Sequence, residues 1–214
     1  MFSQAGNSAI LRRMQYDASM VHDLIKTRRA IRRFKPDPIP QGILDRIMEA
    51  GIWAPSAMNR QPWKYFVLSE EMRDRLANLH QGLIEQIEDR IREKYGEEGV
   101  EIRRNLYKNF ADAPIAIVCF AEITEGTPKA NVISVALGCQ NIVVSAWAEG
   151  IGSLIMTSSL AMTDEISFLC GVDQKKFELV AVILLGYPNE TPQPPERRKK
   201  RVVYASAPSD IRGI

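Results

Sequence analysis

Two histidines and three cysteines are all that 214 residues offer for metal ligation or thiol chemistry. Cys119, Cys139 and Cys170 stand 20 and 31 residues apart, with no Cys-x-x-Cys and no nearby histidine pair. That spacing argues against a zinc site and a disulfide framework, and it fits a reducing compartment. His22 and His80 are too few and too far apart for a metal centre. No Gly-x-Gly-x-x-Gly and no Walker sequence occurs, so neither common phosphate loop is present. No Ser-His-Asp, Cys-His or paired-carboxylate arrangement stands out, which leaves no resident nucleophile or acid–base pair. The first 20 residues lack an apolar run of signal-peptide length, and no 18-residue apolar span is evident. A cytoplasmic protein without a membrane partner is therefore expected. The net charge of +2 is too small to argue for nucleic acid.

What is present is an ordinary globular balance, 45% hydrophobic and 25% charged, in a chain long enough to bury a sizeable core. Residues 1–18 show no pattern and read as an N-terminal arm; residues 19–214 read as one domain. Ser19 is placed to cap a short helix carrying Val21, Leu24 and Ile25. Pro40 opens a second helix with Ile43, Leu44, Ile47 and Met48 on one face, stopping at Pro55. Trp63–Leu68 is aromatic and β-prone. Residues 70–95 read as one long amphipathic helix broken at Gly96–Gly99, with a second piece over 100–110. Ile115–Ala121 and Leu179–Gly186 read as buried strands, and residues 130–149, apolar nearly all round, as a buried helix. A proline-rich connection leads into a tail over residues 188–214.

Two stretches carry chemical promise. Arg28-Arg29-Ala30-Ile31-Arg32-Arg33-Phe34 packs four guanidinium groups into seven residues. If the preceding helix continues, Arg28 and Arg32 share one face and can grip a phosphate or carboxylate from two sides. The blander reading is a solvated run of cations at a helix C-terminus. Ala54-Pro55-Ser56-Ala57-Met58-Asn59-Arg60-Gln61-Pro62-Trp63 concentrates amides and a hydroxyl between prolines. These groups can match the donor and acceptor edge of a flavin ring, although prolines and Asn59 also explain a plain turn. Gln61, before a proline, is biased to extended backbone. An anion clamp without a resident acid, base or nucleophile suits a cofactor that carries the chemistry itself.

Taken in order and spacing, these two stretches resemble the nitroreductase family of FMN flavoproteins. The resemblance extends through Ala148-Glu149-Gly150-Ile151-Gly152-Ser153, Gly186-Tyr187-Pro188 and the basic cluster Arg197–Arg201. It implies an α/β (α+β) fold, a three-layer α-β-α arrangement around a mixed, mostly antiparallel sheet, in a homodimer with two interfacial FMN sites. In such a site Arg28, Arg29 and Arg32, with Ala30 through its backbone, would hold the phosphate and ribityl end. Pro55, Ser56, Ala57 and Asn59 would reach the ring from the partner subunit. Met156, Thr157 and Ser158 would offer backbone N–H groups to the N5 and O4 edge, and Lys199 and Arg201 would close on the phosphate.

Three departures qualify this. Thr157-Ser158 stands where many members have Gly or Glu-Gly, and Ala30 where many have serine. Residues 83–110 form a charged helical insert at the place where the family often builds a substrate lid; here a solvated helical pair is expected. The implied activity is hydride transfer from NADH or NADPH through FMN to a small acceptor such as a nitroaromatic or quinone. The alternatives are a lid-dependent reductive dehalogenase, using lid residues around Tyr107 and Lys108, and a flavin-binding dimer without turnover.

Overall fold

The apolar run at Ile115–Glu122 lies inside a five-stranded sheet, as its composition predicts. The computed structural model describes residues 17–126, 128–198, 201, 202, 204 and 205. The expected arm up to residue 16, together with Lys199, lies outside the described residues. The strands are β1 (Phe34–Lys35), β2 (Trp63–Ser69), β3 (Ile115–Glu122), β4 (Gly152–Met156) and β5 (Phe177–Pro188). The helices are α1 (Ala18–Thr27), α2 (Gln41–Ile52), α3 (Glu70–His80), α4 (Leu83–Asn109), α5 (Pro128–Ala148) and α6 (Thr163–Leu169). The sheet order is β1–β5–β3–β2, with β4 also paired to β5, and every one of these pairs is antiparallel. The paired strands are thus all antiparallel where a mixed sheet is expected; Ala30, outside the named strands, adds an isolated parallel bridge to Ser153.

Strand alternation builds the three layers. Ala116, Val118 and Phe120 of β3 face one core with Leu76 of α3, Leu106 of α4 and Ile166 of α6. Ile115, Ile117 and Cys119 face the other with Leu44 and Ile47 of α2 and Val135, Ile142 and Val143 of α5. Helices therefore cover both sheet faces, which is the expected α-β-α arrangement.

Several local expectations give way to packing. Asp17, not Ser19, caps α1, its carboxylate accepting the Ser19 N–H at 2.9 Å. The helix expected over 70–95 has an additional break at Gln81-Gly82, and the break expected at Gly96 is present as a non-helical kink within α4 (φ 67°, ψ −171°). A Cβ at Gly99 would come 2.3 Å from Tyr95 Cβ, so glycine there leaves room for Tyr95. The insert is not a solvated pair, for Val100 (0%), Leu106 (5%) and Tyr107 (5%) are buried. Tyr107 belongs to the core and is not available as a lid residue. The strand β4 escapes the sequence reading because its glycine and serine carry weak β signals; pairing to β5 makes it a strand.

Residues 129–148 are, by length and composition alone, long and apolar enough to cross a membrane, which corrects the reading that no such span exists. In the fold this segment is the core helix beneath β3 and β5. It is not buried all round: Ile133 is 60% and Leu137 43% exposed. Met20, Val21 and Ile25 of α1, Trp53 after α2 and Met58 are also exposed.

Candidate functional site

The arginine block does not continue α1. The helix ends at Thr27, and Arg28 takes extended backbone (φ −53°, ψ 132°). Ala30 then bridges Ser153, and the Ile31 N–H donates to the Ser153 carbonyl at 3.0 Å. Strand pairing with β4 thus replaces helical hydrogen bonding, and the one-turn spacing of Arg28 and Arg32 does not arise. Buried Ile31 anchors the stretch in the core and leaves the flanking guanidiniums toward its surface.

Arg33 pairs with Glu98 at 4.0 Å, but the guanidiniums of Arg28 and Arg29 have no carboxylate partner among the described residues. Arg29 Nη1 donates to the carbonyls of Lys26 at 2.7 Å and Arg28 at 2.9 Å. Glu190 accepts from the backbone N–H of Arg32, not from its guanidinium. Burial, followed by repulsion from Arg29 and Arg197, holds the Arg28 guanidinium below its ordinary value. Among the described residues no ion pair involves the side chain of Arg28, Arg29, Arg32 or Arg197. A self-repelling cluster of this kind fits a dianion such as a phosphate. Arg197, one residue of the basic tail not singled out from sequence, is the tail member placed beside Arg28. Arg201 is exposed, and Lys199 lies outside the described residues.

The second stretch forms a wound loop with a 3-10 turn at Ala57–Asn59. Asn59 N–H donates to the Ser56 carbonyl at 3.0 Å, Gln61 N–H to Ser56 Oγ at 3.0 Å, and Gln61 Nε2 to Asn59 Oδ1 at 3.2 Å. Met58, Asn59 and Gln61 all have positive φ (54°, 52° and 52°). Gln61 is therefore left-handed, against the extended backbone expected before Pro62; the Ser56 hydroxyl and Asn59 amide hold it there. Left-handed backbone at Met58 and Gln61 costs about 1–3 kcal/mol each, a strain that clusters at functional sites. Pro55, Ala57 and Asn59 are exposed and Ser56 half-buried.

Helix α5 fixes how far apart the two stretches lie. Near its start Ser134 Oγ accepts the Ala57 N–H at 3.4 Å, while donating to the Ala130 carbonyl at 2.7 Å. Near its end Trp147 Nε1 donates to Thr27 Oγ1 at 3.0 Å, just before the arginines. Thirteen helical residues separate these contacts, about 20 Å at 1.5 Å per residue.

The third group follows the arginines along β4. From Ser153, bridged to Ala30, four strand residues lead to Thr157, about 13 Å at 3.3 Å per residue. The Met156 side chain is buried in the core, so only its backbone is left for a ligand. Thr157 is exposed, Ser158 half-buried and Ser159 fully buried. Sequence reasoning missed what holds this turn. His80, wholly buried, places Nε2 2.8 Å from Ser159 Oγ and Nδ1 2.8 Å from the Leu76 carbonyl. The carbonyl only accepts, so Nδ1 carries the proton and Nε2 accepts from the Ser159 hydroxyl. Burial pushes His80 below its ordinary pKa and keeps it neutral. Nothing in the sequence around His80 signals this partner, 79 residues away.

Comparison with known proteins gives the family and the fold. A family model described as the nitroreductase family matches residues 25–187. The chain is 28% identical over 176 residues to a Methanothermobacter thermautotrophicus protein named as a candidate NADH dehydrogenase/NAD(P)H nitroreductase, covering 80% of this chain and 79% of that one. It is 26% identical over 189 residues to the iodotyrosine deiodinase of Thermotoga neapolitana, covering 86% and 96%. Among solved structures, the FMN-dependent nitroreductase NfnB from Mycobacterium smegmatis in complex with NADPH superposes with a TM-score of 0.72 at 23% identity, covering 89% and 99%.

Proposed function

The chain belongs to the nitroreductase family, and from that premise we propose that it is a cytoplasmic, dimeric FMN-dependent NAD(P)H oxidoreductase. The observation that supports the reading is that the loop and the end of α1, which leads into the arginines, dock thirteen residues apart on α5, about 20 Å by helix rise. Each stretch is half of a site, and a second copy of the chain supplies the missing half to each. The apolar residues left exposed in the single chain, Ile133 and Leu137 of α5, Met20 and Ile25 of α1 and Trp53, support such a partner.

Within the site Arg28, Arg29, Arg32 and Arg197 hold the phosphate, whose charge relieves their mutual repulsion. Ala30, pinned by Ser153, offers backbone rather than a hydroxyl. Pro55, Ser56, Ala57 and Asn59 of the other copy cover the ring. The backbone at Met156, Thr157 and Ser158 lines the N5 and O4 edge, where N–H dipoles favour the reduced, anionic ring. When bound, FMN supplies the redox chemistry, accepting hydride from NADH or NADPH and passing it to a small acceptor such as a nitroaromatic or quinone. His80 is neutral and engaged, which leaves the protein to bind, orient and exclude water.

An absorbance scan of the purified protein tests this. It should be yellow, or become so with FMN, and bleach with NADH or NADPH; a colourless protein that takes up no FMN would remove the reading. Similarity to a protein named iodotyrosine deiodinase supports a second reading, reductive dehalogenation. Prompt halide release from a halotyrosine, faster than nitroaromatic reduction, would make that the principal activity.

A further inference from the structure

We propose that His80 is a positioning residue, which acts through Ser159 to set the reduction potential of the flavin; this rests on the flavin reading above. The backbone from Met156 to Ser158 is the edge assigned to the ring; exposed Thr157 and half-buried Ser158 are followed at once by Ser159, 0% exposed. A 3-10 turn, Ser158–Met162, hangs on that residue. The Ser159 hydroxyl donates to His80 Nε2 at 2.8 Å, and the ring is fixed in turn by its Nδ1–H to the Leu76 carbonyl at 2.8 Å. Tyr107 stacks parallel to the imidazole at 6.5 Å and Phe110 meets it edge-on at 5.1 Å. Three elements, α3, α4 and the turn, thus converge on one buried ring that neither carries charge nor faces the ligand.

Its consequence lies in the orientation of the neighbouring peptide planes. Backbone N–H groups stabilise a developing anion only when they are held in place beforehand, so that no reorganisation accompanies the charge. A turn tethered at Ser159 meets that condition; a turn free to rock does not. Loosening the tether disfavours the reduced flavin relative to the oxidised one, while the phosphate clamp, four strand residues away along β4, is untouched.

The test uses the full-length, FMN-loaded protein with Ser159→Ala, and His80→Gln as the conservative partner. The glutamine side chain offers an acceptor oxygen to the Ser159 hydroxyl. Expected for Ser159→Ala are unchanged flavin stoichiometry and a dissociation constant within threefold of wild type. The equilibrium with a reference redox dye should shift at least tenfold toward oxidised flavin, about 30 mV for a two-electron couple. His80→Gln should recover at least half of that shift. In the flavin-free protein, amide hydrogen exchange over 157–162 should quicken in Ser159→Ala and not in His80→Gln. A potential within twofold of wild type in a folded, yellow Ser159→Ala protein would overturn the proposal and leave the flavin reading intact. If Ser159→Ala does not fold, unchanged exchange and potential in His80→Leu would overturn it equally. A wild-type protein that binds no FMN would overturn both.

Discussion

Ser134 and Trp147 stand thirteen residues apart on α5, and each holds a different segment: Ser134 accepts from Ala57 of the loop, and Trp147 donates to Thr27 at the end of α1, just before the arginines. One rigid helix thereby sets the separation of the loop and the arginines. Trp147→Phe keeps the packing but removes the indole N–H that holds the end of α1. A hydrogen bond contributes about 0.5–1.5 kcal/mol, so FMN affinity should fall roughly two- to tenfold. Fluorescence titration with FMN measures this.

The exposed apolar face of α5 makes a separate claim. Ile133→Glu and Leu137→Glu place a charge on residues that are 60% and 43% exposed in the single chain, where they disturb no core. Folding by circular dichroism should be retained while sedimentation shows monomer, and FMN should be lost with the dimer. A monomeric variant that still binds FMN with native affinity would show that one chain suffices.

Gly138 tests the packing of α5 on the sheet. A Cβ there would stand 2.1 Å from Tyr65 Oη and 3.0 Å from the Gly51 carbonyl. Gly138→Ala overpacks this contact despite alanine's better helix propensity. We expect a loss of about 1–3 kcal/mol in denaturant unfolding. By the same logic Gly82→Ala, with nothing within 4 Å of its Cβ, should cost far less.

A buried neutral histidine leaves a signature in the pH dependence of stability. His80 is held below its ordinary value of 6.5 by burial. As pH falls below that value the unfolded chain takes up a proton that the folded chain refuses, so stability is lost toward acid. The slope reaches at most about 1.4 kcal/mol per pH unit. Unfolding free energies between pH 7 and 5 should fall more steeply in wild type than in His80→Gln.

How much of this the sequence disclosed follows from how local each signal is. The runs at Ile115–Ala121 and Leu179–Gly186 read as strands because their apolar patterning is continuous over the whole element. Arg28 and the Ser56–Asn59 loop were legible as candidate site residues because charge and turn chemistry are dense there. Arg28's backbone was not, since its extended form comes from Ala30 pairing with Ser153, more than a hundred residues away. The additional break at Gln81-Gly82 was missed because a lone glycine within a helical pattern is a weak stop signal. The anchoring of Ser159 by His80 joins distant segments and leaves no local pattern.

The central claim is that each flavin is held by the arginines of one chain and the loop of the other. Arg28→Ala alone should weaken FMN binding about 10- to 100-fold, since a bond to a charged group contributes about 1.5–3 kcal/mol. Ala57→Trp alone should block the ring from the opposite side, Ala57 being exposed in the loop. The decisive measurement is FMN uptake after the two variant chains are unfolded together and refolded as mixed dimers. Each mixed dimer then carries one site with both halves intact, and tight FMN binding should return. Mixed dimers that bind FMN no better than either variant alone would contradict the account.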